Sequence, residues 1–245
     1  MSDGRPGGLR QAVAFLTPVG GAVAPSPEAL FWFPAVGAVL GLAVGALWWA
    51  ATKAWNPWVG GAVAVIGDLA LTGMLHFDGV CDAADGLLPP LERPRRLTVM
   101  ASPEVGAFGL AAGVMVLVLR VVCFAALGPS LVLVAALWSL SRTAMAGVAV
   151  SVPYARPGGL ASGFLAAGAR PVLLPVVAAG TGGAVALAIV WRPEVGPLAL
   201  GGLAVGAAAV TALAWRRIGG YTGDVLGAAG MVGETVGLLV GCARW

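Results

Sequence analysis

The sequence predicts an all-α protein, a polytopic helical bundle that spans a membrane about seven times. The first observation is composition: 59% of the 245 residues are hydrophobic and only 10% are charged, whereas soluble domains carry about 25% charged residues. The second is the recurrence of apolar runs long enough to cross a bilayer, for which roughly 20 residues suffice. The third is the 38 glycines, scattered through these runs in a way that suits close packing between membrane helices.

The predicted elements follow one another as a single membrane-embedded domain over residues 1–245. In the N-terminal segment 1–28, the apolar stretch Leu9–Thr17 is too short for the core of a signal peptide, so we expect a short amphipathic helix on the cytoplasmic face. The longest connection, 76–105, carries an acidic run. The predicted spans, in chain order, are 33–52, 57–75, 106–127, 129–152, 171–191, 195–214 and 224–243.

The distribution of basic residues predicts the orientation of this bundle. With the N-terminus in the cytoplasm, nine basic residues fall in cytoplasmic segments and three on the opposite side, which agrees with the positive-inside bias. The segments 76–105, 153–170 and 215–223 then share the cytoplasmic face. The arginines are dispersed and form no stripe, so nucleic acid is not an expected partner. We expect a multi-pass protein of the cell (inner) membrane whose polar site faces the cytoplasm.

Residues 75–86, LHFDGVCDAADG, hold three carboxylates in an otherwise apolar chain. Asp78, Asp82 and Asp85 are spaced i, i+4, i+7, so on an α-helix they lie within about 60° of one another. Like charges on one face repel, and burial beside lipid adds to the cost unless a cation compensates. Oxygen ligands suit Mg²⁺ better than Zn²⁺. We therefore expect these three residues to bind Mg²⁺; the alternative is a solvated amphipathic turn at the membrane surface.

Two further polar residues are candidates for the same site. Asp224 follows Thr222-Gly223 and is expected to be an additional metal ligand or a general base, unless it only caps the last helix. His76 is the single histidine and directly precedes the acidic helix positions. Imidazole titrates near neutral pH, so His76 is a candidate catalytic group, with a structural role as the alternative.

The apolar spans themselves contain ionisable residues. Glu234 lies about ten residues inside the last apolar run, where an ionisable group is a functional candidate by default. We expect it to be a metal ligand, and the alternative is an ion pair with Arg142 or Arg120. Arg142 and Arg156 are candidates for contact with phosphate, because guanidinium groups bind phosphate through paired hydrogen bonds.

Four motifs, taken in order, resemble the cobalamin synthase (adenosylcobinamide-GDP ribazoletransferase) family. The acidic run is similar to the family signature L-H-x-D-G-x-x-D-x-x-D-G. The chain departs from the family pattern at Ala101-Ser102, where a Lys-Asp pair is common, and after Thr17, where an Arg is usual. The other matching pieces are 105–109 (VGAFG), 154–156 (YAR) followed by Gly159-Leu160, and 219–228 (GGYTGDVLGA) with downstream Glu234.

The resemblance implies a reaction and its partners. A ribose hydroxyl of α-ribazole, or of its 5′-phosphate, would attack the cobinamide-side phosphorus of adenosylcobinamide-GDP, releasing GMP and forming adenosylcobalamin or its phosphate. Mg²⁺ on the acidic run would hold the pyrophosphate. A homo-oligomer, or association with other enzymes of cobalamin assembly, stays open. The substrate or its phosphate groups would be bound by Arg142, Arg156, Thr222 and Gly223.

Two other functions remain alternatives. The pattern Asp82-x-x-Asp85-Gly86 is similar to the first half of the motif of CDP-alcohol phosphotransferases, but the second half is missing. Intramembrane acids also mark ion-coupled transporters. Transporters typically have internal repeats and acids near the bilayer midplane, whereas this chain has no evident repeat and its acids gather at one predicted membrane edge.

Overall fold

The fold is that of a computed structural model, which describes residues 7–21, 23–156, 163–164 and 169–243, with the backbone alone for 169–172. These ranges form helices without any β-strand. A 3-10 helix, Pro27–Trp32, precedes the second α-helix. The α-helices are α1 (Gly8–Leu16), α2 (Phe33–Ala54), α3 (Pro57–Leu71), α4 (Leu75–Leu87), α5 (Arg93–Val99), α6 (Ala107–Ala126), α7 (Leu131–Ser151), α8 (Ala169–Trp191), α9 (Val195–Ile218) and α10 (Gly223–Gly241).

Six helices are long and apolar enough to cross a membrane, namely α2, α6, α7, α8, α9 and α10. They confirm six of the predicted spans to within a few residues. Apolar side chains such as Leu110 and Met115 on α6 and Val205 on α9 are exposed on the outside of the bundle, as expected for helices that contact lipid. The predicted N-terminal helix is also confirmed, since α1 buries Ala12 and Leu16.

The predicted span 57–75 is broken, because the chain turns before the span ends; α3 and α4 together form a bent pair that counts as a seventh span if taken as one. α3 stops at Leu71, and α4 starts at Leu75 with a bend of 89° between the two helices. Gly73 and Met74 have φ of 59° and 61°, a left-handed pair that terminates an α-helix. The 15 residues of α3 rise about 22 Å, short of a hydrocarbon core of about 30 Å. The acidic run therefore lies on a helix of its own after the bend.

The backbone groups released by this break find partners within the turn. The Thr72 hydroxyl donates to the Asp68 carbonyl oxygen at 2.7 Å, and the Met74 amide donates to the Leu69 carbonyl oxygen at 2.8 Å. Such local satisfaction is what permits a helix to be interrupted at membrane depth.

Two helices form the centre of the bundle. α7 packs against α2, α8, α9 and α10, while α10 also packs against α4 and α6. Glycines allow several of these contacts: a Cβ on Gly41 of α2 would lie 2.5 Å from the Val134 carbonyl oxygen, and one on Gly233 of α10 would lie 2.9 Å from the Leu203 carbonyl oxygen. The prediction that the glycines serve helix packing is confirmed at these positions.

Candidate functional site

The segment after α7 pairs with the turn between α9 and α10. The Ala155 amide donates to the Tyr221 carbonyl oxygen at 2.8 Å, and the Tyr221 amide donates to the Pro153 carbonyl oxygen at 2.9 Å. The Tyr221 hydroxyl is buried and donates to the Ala149 carbonyl oxygen at 3.2 Å, and burial raises its pKa. The two segments predicted to share a face therefore meet, although 157–162 and 165–168 lie outside the described residues.

The first turn of α10 holds Asp224 next to an arginine. Gly219, at φ 75°, ends α9, and the Thr222 hydroxyl caps α10 by accepting the Val225 amide at 3.3 Å. Asp224 Oδ2 then accepts from Arg156 Nη2 at 3.0 Å and from the Thr222 hydroxyl at 3.2 Å. Both members of the ion pair keep about a quarter of the side chain exposed, at 26% and 21%. Amides at a helix N-terminus favour negative charge, so this end can receive an anion.

The acidic helix α4 lies directly against this turn of α10. A Cβ on Gly79 would lie 2.7 Å from the Asp224 carbonyl oxygen, and one on Gly227 would lie 3.1 Å from the His76 Cα. Two glycines, one on each helix, thus let the backbones touch. This contact joins the third predicted segment to the other two, and confirms that all three meet at one end of the bundle.

Two of the three carboxylates on α4 face the open site. Asp78 is exposed and Asp82 is half-buried. Asp82 lies within electrostatic range of Asp78, Asp224 and Arg156, so three acids and one arginine share the same space. This arrangement brings together residues in or directly beside the three polar segments that the sequence singled out.

Asp85 turns away from this space towards α6. Its Oδ2 accepts the Gly106 amide at 2.7 Å, and its Oδ1 accepts the Gly109 amide at 2.9 Å. A Cβ on Gly106 would lie 2.6 Å from Asp85 Oδ1, which explains a glycine at that position of the VGAFG motif. The structure therefore uses both oxygens of Asp85 to hold the start of α6, and does not bring it together with Asp78 and Asp82 in the expected set of three ligands.

The acids at this end fit a divalent cation in chemistry but not as a closed cage. In the described part of the chain, no three His, Cys, Asp or Glu side chains converge closely enough to hold a metal ion. Mg²⁺ usually keeps several waters and takes only one or two carboxylates together with substrate phosphates. Asp78 and Asp82 are carboxylates of that kind, with oxygen donors on the open side of α4.

Glu234 lies in a buried ion-pair network and not with the other acids. Its Oε2 accepts from Arg120 Nη1 at 3.0 Å, and its Oε1 accepts from Arg142 Nη1. Both oxygens thus accept hydrogen bonds from arginines, so the structure places Glu234 in the alternative ion pair and apart from the acids with which it was expected to bind a metal. Arg142 is 1% exposed and also donates to Ser141, so it is not placed where a soluble phosphate would meet it.

The network continues to α3. Arg120 Nη2 lies 2.6 Å from Asp68 Oδ2, and the Trp138 indole donates to Asp68 Oδ1 at 2.8 Å. The Arg120 guanidinium stacks over the Trp138 ring at 4.8 Å. Two acids and two arginines compensate one another, as buried charges require, and they join α3, α6, α7 and α10. Trp138 was not identified from the sequence, because a tryptophan inside an apolar run gives no sign of a polar partner on another helix.

His76 is buried where α4 crosses α10. It is 9% exposed, and within the described residues its Nδ1 has no hydrogen-bond partner. The structure therefore places the ring at the helix contact beside Gly227, behind the acidic face of α4.

Arg96 has a role that the sequence did not reveal. Its Nη1 donates to the carbonyl oxygens of Gly86 at 2.8 Å and Leu87 at 2.9 Å, so it caps the C-terminal end of α4. A cation at this end also interacts favourably with the helix dipole. The only sequence feature that indicates this contact is an arginine about ten residues beyond a short helix, and that pattern is too common to predict a helix cap.

Comparisons with known proteins bear on this site. The sequence profile of a family described as cobalamin-5-phosphate synthase matches residues 8–242. The chain is 37% identical to a protein of Chlorobaculum parvum, covering 82% of this chain and 80% of the relative. It is 38% identical to one of Thiobacillus denitrificans over 87% and 83%, and 34% identical to one of Bradyrhizobium diazoefficiens over 96% and 93%. All three relatives carry the name adenosylcobinamide-GDP ribazoletransferase. No solved structure matches the chain significantly.

Proposed function

Because the chain belongs to the cobalamin-5-phosphate synthase family, we propose that it joins adenosylcobinamide-GDP to α-ribazole, or to its 5′-phosphate, and releases GMP. The observation that carries the proposal is the contact of α4, beside its acidic face, with the first turn of α10. There Asp78 and Asp82 lie beside the Asp224–Arg156 pair, so carboxylates for a cation and a guanidinium for a phosphate stand together.

We propose that Asp78 and Asp82 would hold Mg²⁺ together with oxygen atoms of the substrate pyrophosphate. When bound, Mg²⁺ would neutralise the charge that develops on the phosphate oxygens and orient the displacement. Support comes from the exposure of Asp78 and the partial exposure of Asp82. Two protein carboxylates and substrate oxygens are a common way of holding this ion, so the absence of a third protein ligand among the described residues is no obstacle.

We propose that Arg156 and Asp224 act on the two reacting partners. Arg156 is partly exposed and would bind a phosphate oxygen, together with the amides of Thr222 and Gly223 at the start of α10. Asp224 Oδ1 has no hydrogen bond among the described residues, whereas Oδ2 holds Arg156 and Thr222. Oδ1 would accept the proton of the attacking ribose hydroxyl. The hydroxyl oxygen would form a bond to the cobinamide-side phosphorus, and the bond between that phosphorus and the oxygen of the leaving GMP would break.

The remaining predicted site residues would support the site from behind. Asp85 would fix α4 to α6, and His76 would keep α4 against α10. Glu234 and Arg142 would hold the helices that carry the site. None of these four side chains is more than 9% exposed, so a positioning role fits them better than contact with a soluble substrate.

The apolar helices indicate a membrane protein; we propose the inner membrane, with the site on the cytoplasmic side, from the nine-to-three bias of basic residues. Ser102→Cys at the site end and Lys53→Cys at the end of α2 test the orientation. An impermeant maleimide should label Ser102→Cys in inverted vesicles and Lys53→Cys in right-side-out vesicles. The wild-type chain, in which Cys81 and Cys123 are buried and Cys242 is half-buried, gives the background, and the reverse labelling would contradict the orientation.

The function is tested by the release of GMP from adenosylcobinamide-GDP with α-ribazole in proteoliposomes. Activity should require Mg²⁺ and disappear with EDTA. Asp82→Asn should reduce the rate at saturating Mg²⁺ by about 100-fold or more, since a metal supplies several kcal/mol of charge stabilisation. Glu104→Gln, at an exposed loop acid, is the matched control and should leave the rate unchanged. Full activity of Asp82→Asn would contradict the assignment, and solute uptake without GMP release would favour a transporter.

A further inference from the structure

A groove of about 630 Å³ lies on the other side of α4 from Asp78 and Asp82. Its walls come from α4, α6, α9 and α10, and every residue that lines it is apolar. On α4 the lining residues include Val80, Ala84 and Leu87, roughly opposite the carboxylates at 100° per residue. α4 therefore separates a charged site from an apolar groove.

The groove begins at the site end of the bundle and follows α6 into the membrane. Its lining extends from Ala107, the first residue of α6, to Leu119, a rise of about 18 Å at 1.5 Å per residue. One half of a hydrocarbon core is about 15 Å deep. The groove thus has the length of an acyl chain in one leaflet, and Phe108 and Met115 on its wall are exposed.

Arginines surround the end of the groove at the bundle surface. The carbonyl oxygen of Leu87, in the groove wall, accepts a hydrogen bond from Arg96 at 2.9 Å. Arg96 lies within electrostatic range of Arg217. Arg217 is one helical turn beyond Leu213, another lining residue. None of the arginines here forms an ion pair within the described residues. This basic cluster consists of Arg93, Arg96 and Arg217.

α5 and the end of α9 come together in this basic cluster. The guanidinium of Arg93 lies over Gly219, where a Cβ would be 2.9 Å from Nη1. Arg93 on α5 therefore lies against the end of α9, whose last turn carries Arg217. The positive charges of Arg93, Arg96 and Arg217, none of which forms an ion pair in the described part of the chain, attract an anion.

We propose that the groove and the basic cluster bind a phospholipid with an anionic headgroup. One acyl chain would lie along α6, and the headgroup phosphates would meet the arginines. Basic surfaces beside apolar clefts between membrane helices suit such lipids, and each arginine near the surface contributes about 1 kcal/mol. The charge complementarity favours an anionic amphiphile, because the apolar walls and the arginines are continuous at Leu87 and Leu213. The proposal does not depend on the reaction assigned above.

The test reconstitutes the protein in nanodiscs, purifies it from them, and uses native mass spectrometry to count the lipids that remain bound. The nanodiscs contain equal amounts of phosphatidylglycerol and phosphatidylcholine. The wild-type chain should retain one phosphatidylglycerol in preference to phosphatidylcholine. Arg93→Gln/Arg217→Gln should weaken this retention about 25-fold, from about fivefold per arginine. Arg192→Gln is the control. It removes a charge just after α8, at the end of the bundle away from the groove opening, and should retain the lipid.

A second variant tests the groove independently of charge. Ala111→Trp places a bulky side chain at a lining position and should displace the acyl chain, whereas Leu174→Trp, on an exposed part of α8, should not. Equal thermal stability of each variant and the wild type in lipid-free detergent shows that the fold is intact.

Several outcomes would overturn the proposal. Equal retention of both phospholipids would make the groove an unselective apolar surface. Displacement of the lipid by adenosylcobinamide-GDP would make it a substrate site, and equal stabilisation by inorganic phosphate would make the basic cluster a general phosphate site. A dimer whose formation Ala111→Trp prevents, without bound lipid, would make it an interface between copies of the chain.

Discussion

The buried carboxylate of Asp85 accepts the backbone amide of Gly109 at 2.9 Å, and this bond fastens the acidic helix to the first turn of α6. Gly106 donates to the other oxygen of the same carboxylate. Asp85, which the sequence grouped with two potential metal ligands, therefore holds two helices together. It sets where α4 ends relative to the next spanning helix.

Asp85→Ala should destabilise the protein more than it changes the dependence on Mg²⁺. The substitution leaves two helix amides without an acceptor, at about 2 kcal/mol or more. Thermal unfolding in detergent checks the loss, and Asp85→Asn should recover part of it because an amide oxygen still accepts. A higher Mg²⁺ requirement for Asp85→Asn at unchanged stability would instead make Asp85 a metal ligand.

Glu234→Gln should be strongly destabilising, by about 3 kcal/mol or more, because Arg120 and Arg142 would keep buried charge without a full partner. Chemical denaturation of the protein in mixed micelles measures the change. The Mg²⁺ concentration for half-maximal activity should stay that of the wild type. Adding Arg142→Gln should restore part of the stability in a double-mutant cycle; additive losses from the two substitutions would contradict the ion pair.

Arg156→Gln should change binding rather than stability. The Arg156–Asp224 pair is partly exposed, and such pairs contribute about 0–1 kcal/mol. A lost charged hydrogen bond to phosphate, at about 2 kcal/mol, corresponds to a KM for adenosylcobinamide-GDP raised about 30-fold. Steady-state kinetics at saturating Mg²⁺ give this value. Arg10→Gln on α1 is the control; an unchanged KM for Arg156→Gln would remove Arg156 from the binding site.

Gly79→Ala should separate α4 from α10 and lower both stability and activity. The new Cβ would lie 2.7 Å from the Asp224 carbonyl oxygen, so the helices must shift, at about 1–3 kcal/mol. Thermal unfolding and GMP release report the two effects. Gly147→Ala is a matched control in α7, because its Cβ would meet no atom within 4 Å apart from its chain neighbours and its own helix backbone. Wild-type behaviour of Gly79→Ala would show that the helix contact can relax without cost.

Six spans could be predicted because long apolar runs leave few alternatives to a membrane helix. The break after Leu71 could not, because its Thr72-Gly73 pair resembles Thr181-Gly182, which lies inside the continuous helix α8. A glycine ends a helix only where the turn is stabilised by packing, and the residues that pack there come from distant parts of the chain.

The candidate site was predictable in outline for a similar reason. Alternation of spans brought the three polar segments to one face, and the structure confirms that they meet. Helical spacing placed Asp78, Asp82 and Asp85 on one face. Spacing alone does not reveal that the amides of Gly106 and Gly109 donate to Asp85. Long-range partners decide the use of each carboxylate.

The 89° bend between α3 and α4 has a consequence for how the protein responds to bilayers of different thickness. Full-length spans adjust to a thicker or thinner membrane by tilting. α4 is not stretched between the two interfaces; it is suspended from neighbours, through Asp85 on α6, Gly79 on α10 and Arg96 at its end. The position of the carboxylates is therefore set by protein contacts, and the bilayer can deform around the bundle without changing their depth relative to Asp224.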